Sequence, residues 1–174
     1  MIKKHQLGLF LDTSNGGSST AYKRIKKSTA ITIAMNPATV VYDYIADESP
    51  TTELSQYQPS LAQPLTMYEN EPDFQYLFDK FFLMATGNEA KTKCAIAYMF
   101  MPYTDGVQAG TKAYYAWEGE VVLSLTDMDG VGSVINFDIL FGGTIKKGYV
   151  TMTNDVPTFT EVPDIEVKFP IPTV

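Results

Sequence analysis

One cysteine and one histidine are the only thiol and imidazole in 174 residues. A lone cysteine excludes an internal disulfide framework and any site built from several cysteines. Cys94 lies in an apolar, strand-like run, where an inert buried thiol is expected. His5 stands near the start of the chain, where termini fray and a general base is poorly held. No GxSxG elbow, Walker loop or HExxH helix is present. No apolar run approaches the roughly 20 residues of a membrane-spanning helix. Leu7–Leu11 is too short for a signal-peptide core, and no small-residue cleavage site follows it. The expectation is a protein that stays in the cell that makes it, or leaves by lysis. Internal repeats and low-complexity segments are also absent.

What is present suffices for a core. The chain is 45% hydrophobic and 19% charged, which argues against general disorder, and its length suits one domain spanning 1–174. Charge is unevenly spread. Residues 1–27 carry Lys3, Lys4, Lys23, Arg24, Lys26 and Lys27 against Asp12 alone, whereas the remainder holds seven basic and nineteen acidic residues. These are either ordinary solvated charges or the two halves of a head-to-tail contact, a basic arm meeting an acidic body on a neighbouring copy. An acidic body argues against tight nucleic-acid binding.

Along the chain, Asp12–Thr20 reads as a turn or flexible loop rich in Gly, Asn and Ser. Ala30–Tyr44 reads as a pair of strands or one bent strand, interrupted at Asn36-Pro37. Asp47–Glu71 shows no clear period and is long for a loop in a compact domain. Pro50, Pro59 and Pro64 exclude a helix there and favour extended edge strands or an arm. Tyr57, Leu61, Leu65, Met67 and Tyr68 make it too apolar to remain solvated, so it is expected to pack on another copy or a partner. Asp73–Thr86 places Phe74, Leu77, Phe78, Phe81 and Phe82 at helical spacing, with Pro72 in the first turn and Gly87-Asn88 at the end. This helix is expected to cover one side of a sheet. Alternating strands follow: Cys94–Phe100, Lys112–Thr126, Ser133–Phe141 and Ile145–Thr153. The prolines of Asp155–Val174 suggest an extended C-terminal arm that packs on a surface or leads to a partner, and residues 1–28 an N-terminal one. The predicted fold is mainly β: an antiparallel sandwich or barrel with one packed helix, a long loop over 47–71 and extended termini.

Three motifs bear on catalysis, and each has a simpler explanation. Leu9–Ser14 (LFLDTS) resembles the active-site turn of aspartic proteases, and Ile139–Gly142 loosely resembles their later apolar element. Ser14 replaces the usual Gly, however, and an aspartate capping its own turn accounts for Asp12. Asp127–Gly130 is similar to the start of a calcium loop but lacks the later ligands, and Asp-Gly is a common hairpin turn. Glu118 and Glu120 alternate outward from one strand, an arrangement more often solvated surface than an acid–base pair. No catalytic residue, cofactor or metal is assigned. A second function class is a carbohydrate-binding or adhesin module, in which Tyr114, Tyr115 and Trp117 would form a stacking platform.

The order of segments carries a resemblance. Tyr22-Lys23-Arg24-Ile25 precedes the strand Ala30–Pro37; Tyr44–Glu48 leads to Tyr57-Gln58-Pro59-Ser60; Tyr68–Pro72 introduces the aromatic helix. Over roughly Tyr22 to Tyr149 the chain resembles the tail tube (major tail) proteins of long, non-contractile-tailed bacteriophages of Gram-positive hosts. The resemblance implies a β-sandwich or barrel with a flanking helix, related to the tube proteins of type VI secretion and contractile tails. It implies six copies per ring, with the rings stacked into a hollow tube around a tape-measure protein, closed by a tail-terminator protein and later passed by DNA. It implies residence in the virion after assembly in the host cytoplasm, with no membrane partner. In that frame Tyr57, Leu61, Leu65, Met67 and Tyr68 would lie between subunits, and Lys23, Arg24, Lys26 and Lys27 between rings. Ser124, Thr126, Asn136 and Asp138 would face the lumen, where an acidic polar surface repels phosphates.

Overall fold

The computed structural model describes residues 1–15, 17 and 19–169. After a single 3-10 turn, Lys4–Gln6, the strands are β1 (Leu7–Asp12), β2 (Tyr22–Arg24), β3 (Ile33–Ala34), β4 (Pro37–Tyr42), β5 (Thr51–Tyr57) and β6 (Ser60–Thr66). One helix, α1 (Pro72–Phe82), precedes β7 (Lys91–Pro102), β8 (Ala113–Asp129), β9 (Val134–Phe141), β10 (Lys146–Thr153) and β11 (Val156–Glu161). The main sheet runs β2-β1-β7-β8-β9-β6-β3, with β10 also on β8 and β11 on β10, while β4 and β5 form a separate hairpin. Every pairing is antiparallel.

Strand β8 organises the molecule. Its 17 residues are too many for one partner on each side. Ala113–Glu118 pairs with β10, and Val121–Asp129 pairs with β9 on the same side. Strand β7 lies along its other side as far as Lys91 opposite Val122. The sheet therefore folds over itself into a sandwich. Period-2 alternation sends Leu9 and Leu11, Cys94 and Ile96, Val121 and Leu123, Ile135, Phe137 and Ile139, and Leu61 and Leu65 into one common core. The two sheet ends approach along Ile25–Ala34, through an isolated bridge between Ser28 and Leu65 and backbone bonds from Thr66 N to Lys27 O and from Thr29 N to Pro64 O. No continuous ladder closes a barrel among the described residues. The expected mainly β fold with one packed helix is what forms, as a sandwich.

Helix α1 closes one side of the core. Pro72 occupies its first turn, where a missing N–H is harmless. The buried Asp73 carboxylate accepts from the N–H groups of Lys26 and Phe74, tying the helix start to the segment after β2. Leu77 and Tyr76 enter the core, with Phe74 and Phe81 partly buried beside them. The helix stops short of the predicted Thr86 because Met84 adopts a left-handed backbone at φ 49.

Small residues allow a second layer. Phe10, Tyr22, Ala95, Ala97, Ala116 and Val150 pack together on the opposite face of β1, β7 and β8, under the β10–β11 hairpin. Tyr103, Tyr115, Met101 and Ala113 form a third cluster, with Tyr103 stacked on Tyr149 at 4.6 Å.

Two expectations need correction. Residues 1–28 are not a free arm, because β1 lies between β2 and β7 with Leu9, Phe10 and Leu11 buried. Asp47–Glu71 is not a loop: it contains β5 and β6, and Leu61 and Leu65 of β6 are 0% exposed in the subunit's own core. The C-terminal segment forms β11 from Val156 to Glu161, then lies on the body as far as Lys168. There the Tyr115 hydroxyl donates to Glu166 O and accepts from Lys168 N, and Ile165 joins the tyrosine cluster. Gly16, Ser18 and the last part of the predicted C-terminal arm, with Pro170 and Pro172, lie outside the described residues.

Candidate assembly surfaces

The β4–β5 hairpin is the most unusual surface. Every residue of both strands is exposed. Its base is pinned by Asn36, which takes a left-handed φ of 42 and whose Nδ2 donates to Gln58 O and Ser60 Oγ. Beyond that base Val40, Val41, Tyr42, Tyr44, Ile45, Leu54 and Tyr57 all face solvent. Tyr42 stacks on Tyr44 at 5.7 Å. A two-stranded ribbon is marginal in water, and exposed apolar side chains in this number mark a contact surface.

The residues predicted at the subunit interface separate in the structure. Tyr57 is 54% and Tyr68 51% exposed and available for contact. Met67 packs partly against the core, and Leu61 and Leu65 are wholly internal. Those two side chains fill the subunit's own core and present no surface to a neighbour. The hairpin residues Val40, Val41 and Leu54 were missed. Their signal was a run of apolar β-formers without alternation beside an acid-rich turn, which also fits a buried strand. Phe78 and Phe82 were expected on the core side of the helix. They instead turn outward, Phe78 tilted against Phe74 at a centroid separation of 5.8 Å and Phe82 stacked on Phe78 at 6.1 Å, and Phe82 is 72% exposed.

Of the basic residues, Lys27 is engaged within the subunit, 3.9 Å from Glu71 and 4.8 Å from the centre of the Tyr68 ring. Arg24 donates to the backbone oxygen of His5. Lys23 and Lys26 are exposed, and neither has an acidic partner within 4.0 Å among the described residues. Ser124, Thr126, Asn136 and Asp138 come together on one face of the β8–β9 ladder. Ser124 sits directly opposite Asp138, and Thr126 Oγ1 donates to Asn136 O at 3.1 Å. Asn136 Nδ2 donates to Asp127 Oδ1 at 2.8 Å.

The motif residues serve local structure. Asp12 Oδ1 accepts from the N–H groups of Ser14 and Ala21, closing its own loop. Asp129 Oδ1 accepts from Val131 N in the hairpin turn. Glu118 accepts from the Tyr22 hydroxyl, and Glu120 lies 3.8 Å from Lys91. Burial raises the Cys94 thiol pKa above its usual value, keeping it protonated. Tyr114 and Tyr115 point to opposite faces of β8. Tyr115 is buried in the tyrosine cluster and Trp117 packs edge-on against Tyr98 at 5.5 Å, so the three rings form no shared platform.

No family model and no curated protein matches the chain. Among solved structures, a chain from the tail of an empty GTA particle, refined helically with C6 symmetry, aligns with a TM-score of 0.54 and 12% identity. The alignment covers 83% of this chain and 97% of that one. The two chains share a fold. A sheath/tube terminator of an extracellular contractile injection system, PVC, in its extended state aligns with a TM-score of 0.48 and 10% identity, covering 84% of this chain and 96% of that one. The anti-feeding prophage baseplate, 6-fold symmetrised, gives 0.39 and 11%, covering 81% and 89%. The motifs that bear on catalysis serve here as turns and core supports.

Proposed function

We propose that this chain is a structural virion protein whose copies join into rings, six to a ring, that stack as the hollow tube of a phage tail. The observation that carries the reading is the β4–β5 hairpin, a formed element whose apolar surface has no counterpart within its own subunit. A fold shared with a chain of a C6 tail supports it. In this reading the hairpin, with Tyr57 and Tyr68, lies between subunits, and Lys23 and Lys26 lie between copies. The polar β8–β9 face with Ser124, Thr126, Asn136 and Asp138 lines the lumen. The tube would enclose a tape-measure protein, end at a tail terminator and later pass DNA without holding it, since carboxylates repel phosphates. Assembly would take place in the host cytoplasm and the product would reside in the virion.

The test is negative-stain electron microscopy at rising protein concentration, on the wild-type chain and on a variant with residues 39–55 replaced by a short Gly-Ser turn. Tubes or stacked rings from the wild type, and folded but dispersed subunits from the variant, are expected. Tubes from both would remove the hairpin from assembly. Dispersed monomers from the wild type at every concentration, seeded and unseeded, would overturn the tube.

A further inference from the structure

Between the start of the chain, β2 and the segment after it lies a cleft of about 650 Å³. Lys4, His5, Lys23, Arg24 and Lys26 line it, with Asp155 as its one acidic residue. Among the described residues, Lys4, Lys23, Arg24 and Lys26 have no carboxylate within 4.0 Å. The cleft thus concentrates the cationic charge of a chain whose net charge is −7. Gln63 forms part of its wall. It is 2% exposed, its Nε2 donates to Ala62 O, and its Oε1 has no hydrogen-bond partner. Leu7, Leu9, Ile25 and Ile31 supply apolar wall between the charges.

The hairpin has the opposite character. From Pro37 to Tyr57 it carries Asp43, Asp47, Glu48 and Glu53 and no basic residue. Three of these acids cluster at its tip with Tyr44 and Ile45, which are exposed apolar groups. In its own subunit the hairpin is exposed throughout, so it does not fill the cleft beside which its chain emerges. We infer that the cleft receives the acidic tip of the β4–β5 hairpin from a second copy, with Asp47 and Glu48 set against Lys23 and Lys26 and the tip's apolar groups against the apolar wall. This deepens the tube reading and rests on it. Two different surfaces meet, so the contact is head-to-tail, the kind that closes into a ring or extends into a filament and does not stop at a symmetric dimer. Opposite charge selects the register, and the apolar groups supply the burial.

The test uses the full chain with reversals at exposed positions. Lys23→Glu with Lys26→Glu, and separately Asp47→Lys with Glu48→Lys, should each lower the assembled fraction at low salt by about tenfold or more, because like charges then face each other. The chain carrying all four changes should recover most of the assembly. Circular dichroism and melting of each variant separate this from misfolding. A second measurement mixes Lys26→Cys chains with Glu48→Cys chains under mild oxidation. A disulfide-linked heterodimer on a non-reducing gel is expected, since Cys94 is buried. Tubes that ignore every reversal and give no cross-link would overturn the cleft contact and leave the tube standing. A cross-link without tubes at any concentration would uphold the contact and remove the tube. The absence of both would remove both.

Discussion

At the scale of single residues, close approach and proton binding decide most. Gly148 of β10 stands against β11 so tightly that a Cβ there would overlap the carbonyl oxygen of Thr160, a backbone atom that cannot swing aside. Gly148→Ala should therefore cost about 2–3 kcal/mol, read as a lower urea midpoint with the slope unchanged. Tyr22 makes a different prediction. Burial, and then its hydrogen bond to Glu118, hold its phenol above the usual 10.0. The folded state then binds this proton more tightly than the unfolded state. The stabilisation is complete below the unfolded value and is lost as pH rises above it. Cys94, raised by burial from its usual 9.0, acts in the same direction. The urea midpoint should fall as pH rises from about 9 to about 11, less steeply in Tyr22→Phe. At neutral pH that variant should lose about 2 kcal/mol, because a hydrogen bond to a charged group is removed.

At the scale of elements, α1 divides its aromatic residues between two roles. Leu77→Ala should cost about 3 kcal/mol through lost burial and the cavity left behind. Phe82→Ser should change the isolated subunit by about 0.5 kcal/mol or less, its ring being mostly in solvent. Chemical denaturation of the two variants checks the contrast. The helix and β7 to β10 were legible in the sequence because their large apolar side chains recur at the element's period; even in β7, buried on both faces, the small Ala95 and Ala97 alternate with Cys94 and Ile96. Strand β1 was not, because Leu9, Phe10 and Leu11 are buried on both faces and show no alternation. Strand β6 was hidden by Pro64, which occupies the ladder opposite Asn136 where a proline argues against a central strand. Its Leu61, Gln63 and Leu65 nevertheless alternate inward, and a deletion running through β6 would remove core and not just a contact surface. The orientation of Phe78 and Phe82 was illegible for a further reason. Helical spacing groups side chains on a face without saying how wide a stripe the sheet will cover.

At the scale of the whole molecule, charge separation becomes geometric. The basic start of the chain and the acidic remainder were visible as a count, but the count placed the basic residues on an arm. Folding turns that arm into an interior strand and leaves Lys4, Lys23, Arg24 and Lys26 around one cleft. The inferred acidic partner surface is one hairpin. If this contact drives assembly, the tube fraction measured by sedimentation should fall as salt rises towards 1 M, where the screening length is about 3 Å. Apolar burial alone would not weaken with salt in this way. The polar face of β9 was legible residue by residue, since alternation with Ile135, Phe137 and Ile139 fixed it; on β8 a register shift between Leu125 and Asp127 sets Asp127, not Thr126, opposite Asn136.

Strand β8 has a mechanical consequence. Its ladders to β7, β9 and β10 lie along its sides, perpendicular to its own axis. A force applied along that axis loads many of these hydrogen bonds in parallel, so they must rupture together in shear. A force that peels β11 from β10 breaks one pair at a time, from Glu161 opposite Gly148 towards the turn at Val156. The subunit is therefore stiff in one direction and compliant in another. A rod built with β8 as its spine would bend by moving its edges while its centre keeps its length.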